Sequence, residues 1–184
     1  MMVKILPAVR SMKDFEKLIG SGYTECVVLD IHIGHLESHI ALMKKHGFEV
    51  YLHLDLIRGL STDIAALEFI HQRFRPTGII TTRGRLIRKA NALGLRTVLR
   101  IFVIDSSAIE KSIELVRQTE PDLIEILPGV VPKVIHLFNR EVDADVIAGG
   151  LIETEDEVRN AISAGAKFVT TSNRELWFSD QDDE

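Results

Sequence analysis

Eight short apolar runs, rich in β-branched residues, recur along this chain, and a segment of helical period separates each from the next. They cover residues 5–9, 26–30, 49–54, 78–81, 97–104, 122–127, 145–148 and 167–171. Their starts lie about 19 to 29 residues apart, a repeat of structure without repetition of sequence. Strands alternating with helices favour a parallel sheet, because each strand needs a crossover before the chain can run the same way again. Eight is the number at which that pattern closes on itself. The expected fold is therefore α/β: a compact (β/α)8 barrel of the TIM type, formed by a single domain over residues 1–178. With 184 residues the chain is short for this fold, which usually takes about 250 and rarely fewer than about 200. A minimal barrel is expected, with short loops or a missing helix, and an open doubly wound sheet is the alternative. In both architectures binding residues belong at the C-terminal ends of the strands.

Local signals support the helices. Ser11 with Asp14, and Thr154 with Glu157, read as capped starts. Gly47, Gly94 and Gly165 follow helical segments as C′ glycines do. Cys26 is the only cysteine and sits in an apolar run, so it reads as core, and a reducing cytoplasm is the expected compartment. No apolar stretch approaches the ~18 residues of a membrane span, and no signal-peptide h-region opens the chain. The acidic segment 179–184 is expected to be a disordered tail.

Read in order, the strand ends carry Arg10, Asp30 and His32, His53 and Asp55, Thr82 and Arg83, Asp105, Glu125, Gly149 and Gly150, and finally Thr171, Ser172 and Asn173. The last two groups resemble the phosphate-binding corner of a barrel. Glycines let the backbone approach an anion, and Thr171, Ser172 and Asn173 offer donors at the start of a terminal helix. Taken singly, Gly149-Gly150 could be only a turn and Ser172 or Asn173 only a cap. Together, at consecutive strand ends, they favour phosphate. His53-Leu54-Asp55 places an imidazole and a carboxylate at alternate strand positions, facing one side. That pair could serve a metal, acid–base chemistry, ligand hydroxyls or a polar layer above the core. Asp30, His32, His35 and His39 add ligand types, but the last two fall on a segment expected to face solvent. No later cluster completes a metal site, so neither a metal nor a cofactor is expected. Arg100 and Glu125, on neighbouring strands, can pair inside the barrel. No nucleophile motif or strand-end lysine is present, so no residue is assigned as catalytic, and sensing is favoured over turnover.

The formal net charge is −5, yet residues 69–104 contain eight basic residues and no acid. In the helix expected at 83–93, Leu86, Ile87, Ala90 and Leu93 can pack inward, leaving Arg85, Arg88 and Lys89 outward together. With Arg73, Arg75, Arg83 and Arg96 they could form one basic wall suited to a phosphate backbone. The plainer alternative is a solvated helix on an acidic protein.

Seven segments then carry a family likeness: Leu6-Pro-Ala-Val-Arg10, Val28-Leu-Asp-Ile-His32, His53-Leu-Asp-Leu-Ile57, Gly78-Ile-Ile-Thr-Thr-Arg83, Ile124-Glu-Ile-Leu-Pro-Gly129, Ala148-Gly-Gly-Leu-Ile152 and Val169-Thr-Thr-Ser-Asn-Arg-Glu-Leu-Trp177. In this order, over nearly the whole chain, the sequence resembles the bacterial glycerol uptake operon antiterminators. The resemblance implies a small barrel that is a non-enzymatic regulator. It would respond to glycerol 3-phosphate, bind the leader of glycerol-operon mRNA and prevent premature termination. By position, Gly149, Gly150, Thr171, Ser172 and Asn173 would hold the phosphate, and His53, Asp55 and Glu125 would meet the glycerol hydroxyls. Effector binding would favour a state, or a homo-oligomer, that presents the basic wall to RNA. The alternative is a barrel enzyme for a small phosphorylated substrate (an isomerase, lyase or phosphodiester hydrolase) using His53, Asp55 and Glu125. A metabolite-binding protein that controls another protein is a third reading.

Overall fold

Every apolar run forms a parallel strand. In the computed structural model, which describes residues 5–179, the strands are β1 (Ile5–Val9), β2 (Glu25–Val28), β3 (Glu49–His53), β4 (Gly78–Thr81), β5 (Arg96–Phe102), β6 (Leu123–Leu127), β7 (Asp145–Gly149) and β8 (Phe168–Thr171). They pair in chain order, and β8 pairs with β1 to close the barrel. The helices between and after them are α1 (Met12–Leu18), α2 (Leu36–Lys45), α3 (Ile64–Phe74), α4 (Gly84–Ala92), α5 (Ser106–Thr119), α6 (Pro132–Glu141), α7 (Glu155–Ser163) and α8 (Arg174–Phe178). Closure excludes the doubly wound sheet, and no βα unit lacks its helix. The short chain is accommodated instead by short elements, down to the five residues of α8. Of the tail expected at 179–184, only Ser179 lies among the described residues. Among those residues no helix is long and apolar enough to cross a membrane.

The caps act as their sequences direct. Ser11 and Thr154 each form a full capping box, with Asp14 and Glu157 returning a carboxylate to the cap backbone. Asp63 and Asp105 accept from the N3 amides of α3 and α5. Several strand ends differ from the sequence reading. The run 26–30 leaves β2 after Val28, and Asp30 turns into the left-handed region at φ 53°. The run 49–54 stops at His53, because Leu54–Leu56 winds into a 3-10 turn. The run 97–104 is strand only to Phe102, and 145–148 extends to Gly149.

Period-two alternation divides the core. Leu6, Ala8, Val27, Tyr51, Ile80, Val98, Leu123 and Ile147 point inward and fill the barrel as one apolar cluster. The intervening strand residues, such as Val9, Val28, Leu52, Ile79, Leu99 and Ile124, face outward beneath Phe15, Leu67, Leu86, Ile87, Ile135 and Phe138 from the helices. Each fully buried side chain of this kind contributes about 1.5–3 kcal/mol. That is ample to offset a small polar layer at one end of the plug.

Candidate functional site

Towards the strand C-termini the inward row turns polar. β5 and β6 set Arg100 opposite Glu125 in register, and Arg100 Nε lies 3.2 Å from Glu125 Oε2. Thr170 Oγ1 donates to Glu125 Oε1 at 2.6 Å. Arg100 Nη1 stands 2.6 Å from His53 Nε2. A guanidinium can only donate, so this imidazole nitrogen accepts and the ring is neutral with its proton on Nδ1. Burial, together with the charge of Arg100, pushes the His53 pKa down to about 4. Gly149 makes the layer possible. A Cβ there would lie 2.6 Å from both Glu125 Oε1 and Thr170 Oγ1.

Above this layer opens a cavity of about 560 Å³. Its floor is Ala8, Val27 and Leu29, with Arg100, Glu125 and Thr170 on one side. The other wall is built by Gly150, Leu151, Ile152 and Glu153 after β7, by Thr171, Ser172 and Asn173 after β8, and by Arg10 after β1. Gly150 and Leu151 both adopt positive φ, at 74° and 60°. This turns the β7–α7 loop over the mouth, and Leu151 remains 69% exposed. Among the described residues, the backbone N–H groups of Gly150, Leu151 and Ser172 donate to no protein acceptor, and the Ser172 hydroxyl and Arg10 guanidinium have no protein partner. One wall therefore gathers peptide N–H groups, a hydroxyl and a cation with donor capacity to spare. That is the composition of an anion site. The opposite wall offers a carboxylate and a threonine hydroxyl, which suit ligand hydroxyls.

The residues expected from sequence separate into contacts and supports. Gly150 and Ser172 belong to the donor wall, whereas Gly149 lies beneath it and makes room for Glu125 and Thr170. Thr171 and Asn173 line the cavity, but their polar atoms hold the loop. Thr171 Oγ1 donates to Ile152 O at 3.4 Å and accepts from Asn173 N at 3.1 Å. Asn173 caps α8 through Oδ1 and donates from Nδ2 to Glu153 O. Of the three residues proposed for hydroxyls, only Glu125 lines the cavity. His53 lies behind Arg100. Asp55 accepts from Thr81 Oγ1, Thr82 N and Thr82 Oγ1 at 2.7–2.8 Å. The 3-10 turn removes Asp55 from strand alternation, so the pair does not face one side. Arg10 and Thr170 are cavity residues that the sequence-based site omitted. Thr170 was findable: in β8 the alternation that buries Val169 outward turns Thr170 inward.

The basic residues do not form one wall. Residues 69–104 traverse the barrel height repeatedly, through α3, β4, α4 and β5, so their charges land at both ends. Arg83 follows β4 at the mouth, while Arg75, in the left-handed cap of α3 at φ 48°, and Arg96, at the start of β5, lie at the far end. Arg73 is paired with Glu37 at 2.9 Å and Lys89 with Glu68 at 2.6 Å. Arg83, Arg85 and Arg88 remain exposed and form no salt bridge among the described residues, although Arg85 lies near enough to Asp63 to favour its ionised form. As the sequence reading expected, Leu86, Ile87 and Ala90 are the buried face of α4.

Known proteins match the chain closely. The glycerol-3-phosphate responsive antiterminator family matches residues 5–177. A crystal structure of the glycerol uptake operon antiterminator regulatory protein from Listeria monocytogenes str. 4b F2365 superposes with a TM-score of 0.91 at 40% identity, covering 95% of this chain and 94% of that one. A glycerol uptake operon antiterminator-related protein from Thermotoga maritima MSB8 gives a TM-score of 0.84 at 31% identity, over 96% and 99% of the two chains. The protein YgcP of Escherichia coli (strain K12) is 31% identical over 174 residues, 93% of this chain and 91% of YgcP.

Proposed function

Because the chain belongs to the glycerol-3-phosphate responsive antiterminator family, we propose that it takes glycerol 3-phosphate into the cavity at the barrel mouth. Loaded with this effector, it binds the leader of glycerol-operon mRNA and prevents premature termination. The observation that carries the effector site is the convergence of unpartnered donors from Gly150, Leu151, Ser172 and Arg10 on a single cavity wall. The phosphate sits against those donors. The glycerol hydroxyls turn towards Glu125 and Thr170, and the carbon chain lies over Ala8, Val27 and Leu29. Thr171 and Asn173 keep the donor loops in place. α8 is too short for its dipole to matter much, so the anion is held by local N–H groups.

The protein acts as a sensor and not as an enzyme, with no cofactor beyond its effector. The three groups that acid–base chemistry would require are committed elsewhere: His53 to Arg100, Asp55 to Thr81 and Thr82, and Glu125 to Arg100 and Thr170. For RNA, Arg83, Arg85 and Arg88, exposed just before and along α4 and free of salt bridges among the described residues, are the arginines that meet phosphates. Linkage requires leader RNA to tighten effector binding by the factor with which the effector tightens RNA binding.

Calorimetric titration with glycerol 3-phosphate tests the site. Ser172→Ala and Arg10→Ala should each weaken binding by about tenfold or more, the effect of one lost charge-assisted hydrogen bond. No heat with the wild-type protein, or unchanged affinity in both variants, would overturn the assignment. Leader-RNA titrations with and without effector, at two salt concentrations, test the output.

A further inference from the structure

Beside the mouth, on the β1–β2–β3 side, lies a second groove of about 220 Å³ bounded by Arg10, Asp30, His32, His35, His39 and Arg58. Building on the RNA-binding reading above, we propose that this groove seats phosphodiester groups of the leader RNA, with the three histidines as the contact surface and Arg10 as the wall it shares with the effector cavity.

The histidines follow one another along the turn into α2. Their ring centroids are 5.8 Å apart for His32 and His35, and 5.5 Å for His35 and His39. His32 Nδ1 accepts from Gly34 N at 3.0 Å, which leaves its Nε2–H as an outward donor. Among the described residues no group of histidine, cysteine and acidic side chains has the geometry to hold a metal ion; what the groove offers an anion is the His32 Nε2–H and the Arg10 guanidinium. The acids nearby are already occupied. Asp30 is bound by Arg58, with Nε–Oδ1 at 3.2 Å and Nη2 donating to Asp30 O at 3.3 Å, and Glu37 of α2 is bound by Arg73. Arg10, exposed and facing the groove from the end of β1, remains as a cation without an acidic partner among the described residues, beside the exposed rings of His32 and His35 and the half-buried ring of His39.

Burial and the charge of His35 hold His39 protonation below its ordinary range. A phosphate entering between the rings reverses that balance, so RNA binding takes up protons and strengthens as pH falls. Arg10 also supplies the link to the effector. It lines both cavities, and its backbone N–H is fixed to Asp14 Oδ2 at 2.9 Å, so its side chain is the part free to answer an anion on either side.

The test is fluorescence anisotropy with a labelled leader transcript of a glycerol uptake operon, in saturating glycerol 3-phosphate, between pH 6 and pH 8. Wild-type affinity should rise towards pH 6, by up to about tenfold per pH unit for each proton taken up. The triple variant H32Q/H35Q/H39Q should bind RNA more weakly with a flattened pH profile, while its effector affinity at pH 8 stays at the wild-type value. His35→Gln alone, at an exposed position, repeats the measurement with least risk to folding. RNA affinity and pH slope unchanged in both variants overturn the groove and leave the antiterminator reading standing. A wild-type protein that does not bind the transcript defeats that reading and the groove with it.

Discussion

Replacing Gly149 by alanine separates two roles that a glycine at a strand end can have. If Gly149 serves only to let a phosphate approach the backbone, the methyl group matters only when ligand is present. The structure places the new Cβ 2.6 Å from both Glu125 Oε1 and Thr170 Oγ1, inside the hydrogen-bonded layer beneath the cavity. Gly149 is not among the residues with positive φ, so backbone strain does not enter and the effect is steric. Overpacking of this kind costs about 1–3 kcal/mol, and loss of the Thr170–Glu125 hydrogen bond about 1.5–3 kcal/mol. The two overlap, because one shift of Glu125 relieves the clash and breaks the bond. We expect a net loss of about 2–4 kcal/mol without ligand, which lowers the melting temperature by about 4 to 16 °C for a chain of this size. Urea unfolding of the ligand-free protein gives the free energy directly. Thr170→Ala provides the internal control: it removes one clashing atom and frees Glu125 to rotate, so Gly149→Ala should cost about 1–2 kcal/mol less in that background. Ligand-free stability within about 0.5 kcal/mol of wild type, or strict additivity in the double variant, would refute the argument.

Other expectations can be checked with the same preparations. The folded protein holds His53 at a pKa of about 4 against about 6.5 when unfolded, so between those values the unfolded state binds more protons. Stability should therefore fall by up to about 3 kcal/mol as pH drops from 6.5 to 4, with no further loss from this group below that, and His53→Gln should remove that component of a urea-monitored pH series. Asp55→Asn should lower the melting temperature while changing glycerol 3-phosphate affinity less than about threefold, since Asp55 braces Thr81 and Thr82 and does not line the cavity. Arg96→Glu, at the far end of the barrel, should leave leader-RNA affinity unaltered, whereas Arg83→Glu with Arg85→Glu should reduce it and its salt dependence in a filter-binding assay.

The fold was legible because its signals are local. Eight β-branched runs, two capping boxes and the C′ glycines specify elements one at a time, and the βαβ rule then leaves few ways to connect them. What escaped the sequence depends on contacts between distant residues or on where a strand stops. Nothing near Asp55 announces that its partners are Thr81 and Thr82. The 3-10 turn that aims it there begins inside a run that reads as strand. Gly149 and Gly150 read together as bare backbone that a phosphate can approach, and only the positions of Glu125 and Thr170 reveal that Gly149 makes room for them. The basic stretch misled for a geometric reason: a charge run that is continuous in sequence is divided between both ends of a barrel by the reversals of its elements. Thr170 is a different kind of omission, since strict alternation would have found it.

The cavity at the barrel mouth draws Ala8 and Arg10 from and just after the first strand of the barrel and Thr170 to Asn173 from and just after the last, across the β1–β8 seam. During synthesis on the ribosome these two halves are separated by nearly all of the translated domain. A partly made chain has the first half of the site and nothing to complete it. The cavity is thus completed in one step, when β8 emerges and closes the ring. On the proposed function, an unfinished or truncated product would be deaf to the metabolite and would carry no signal to a transcript.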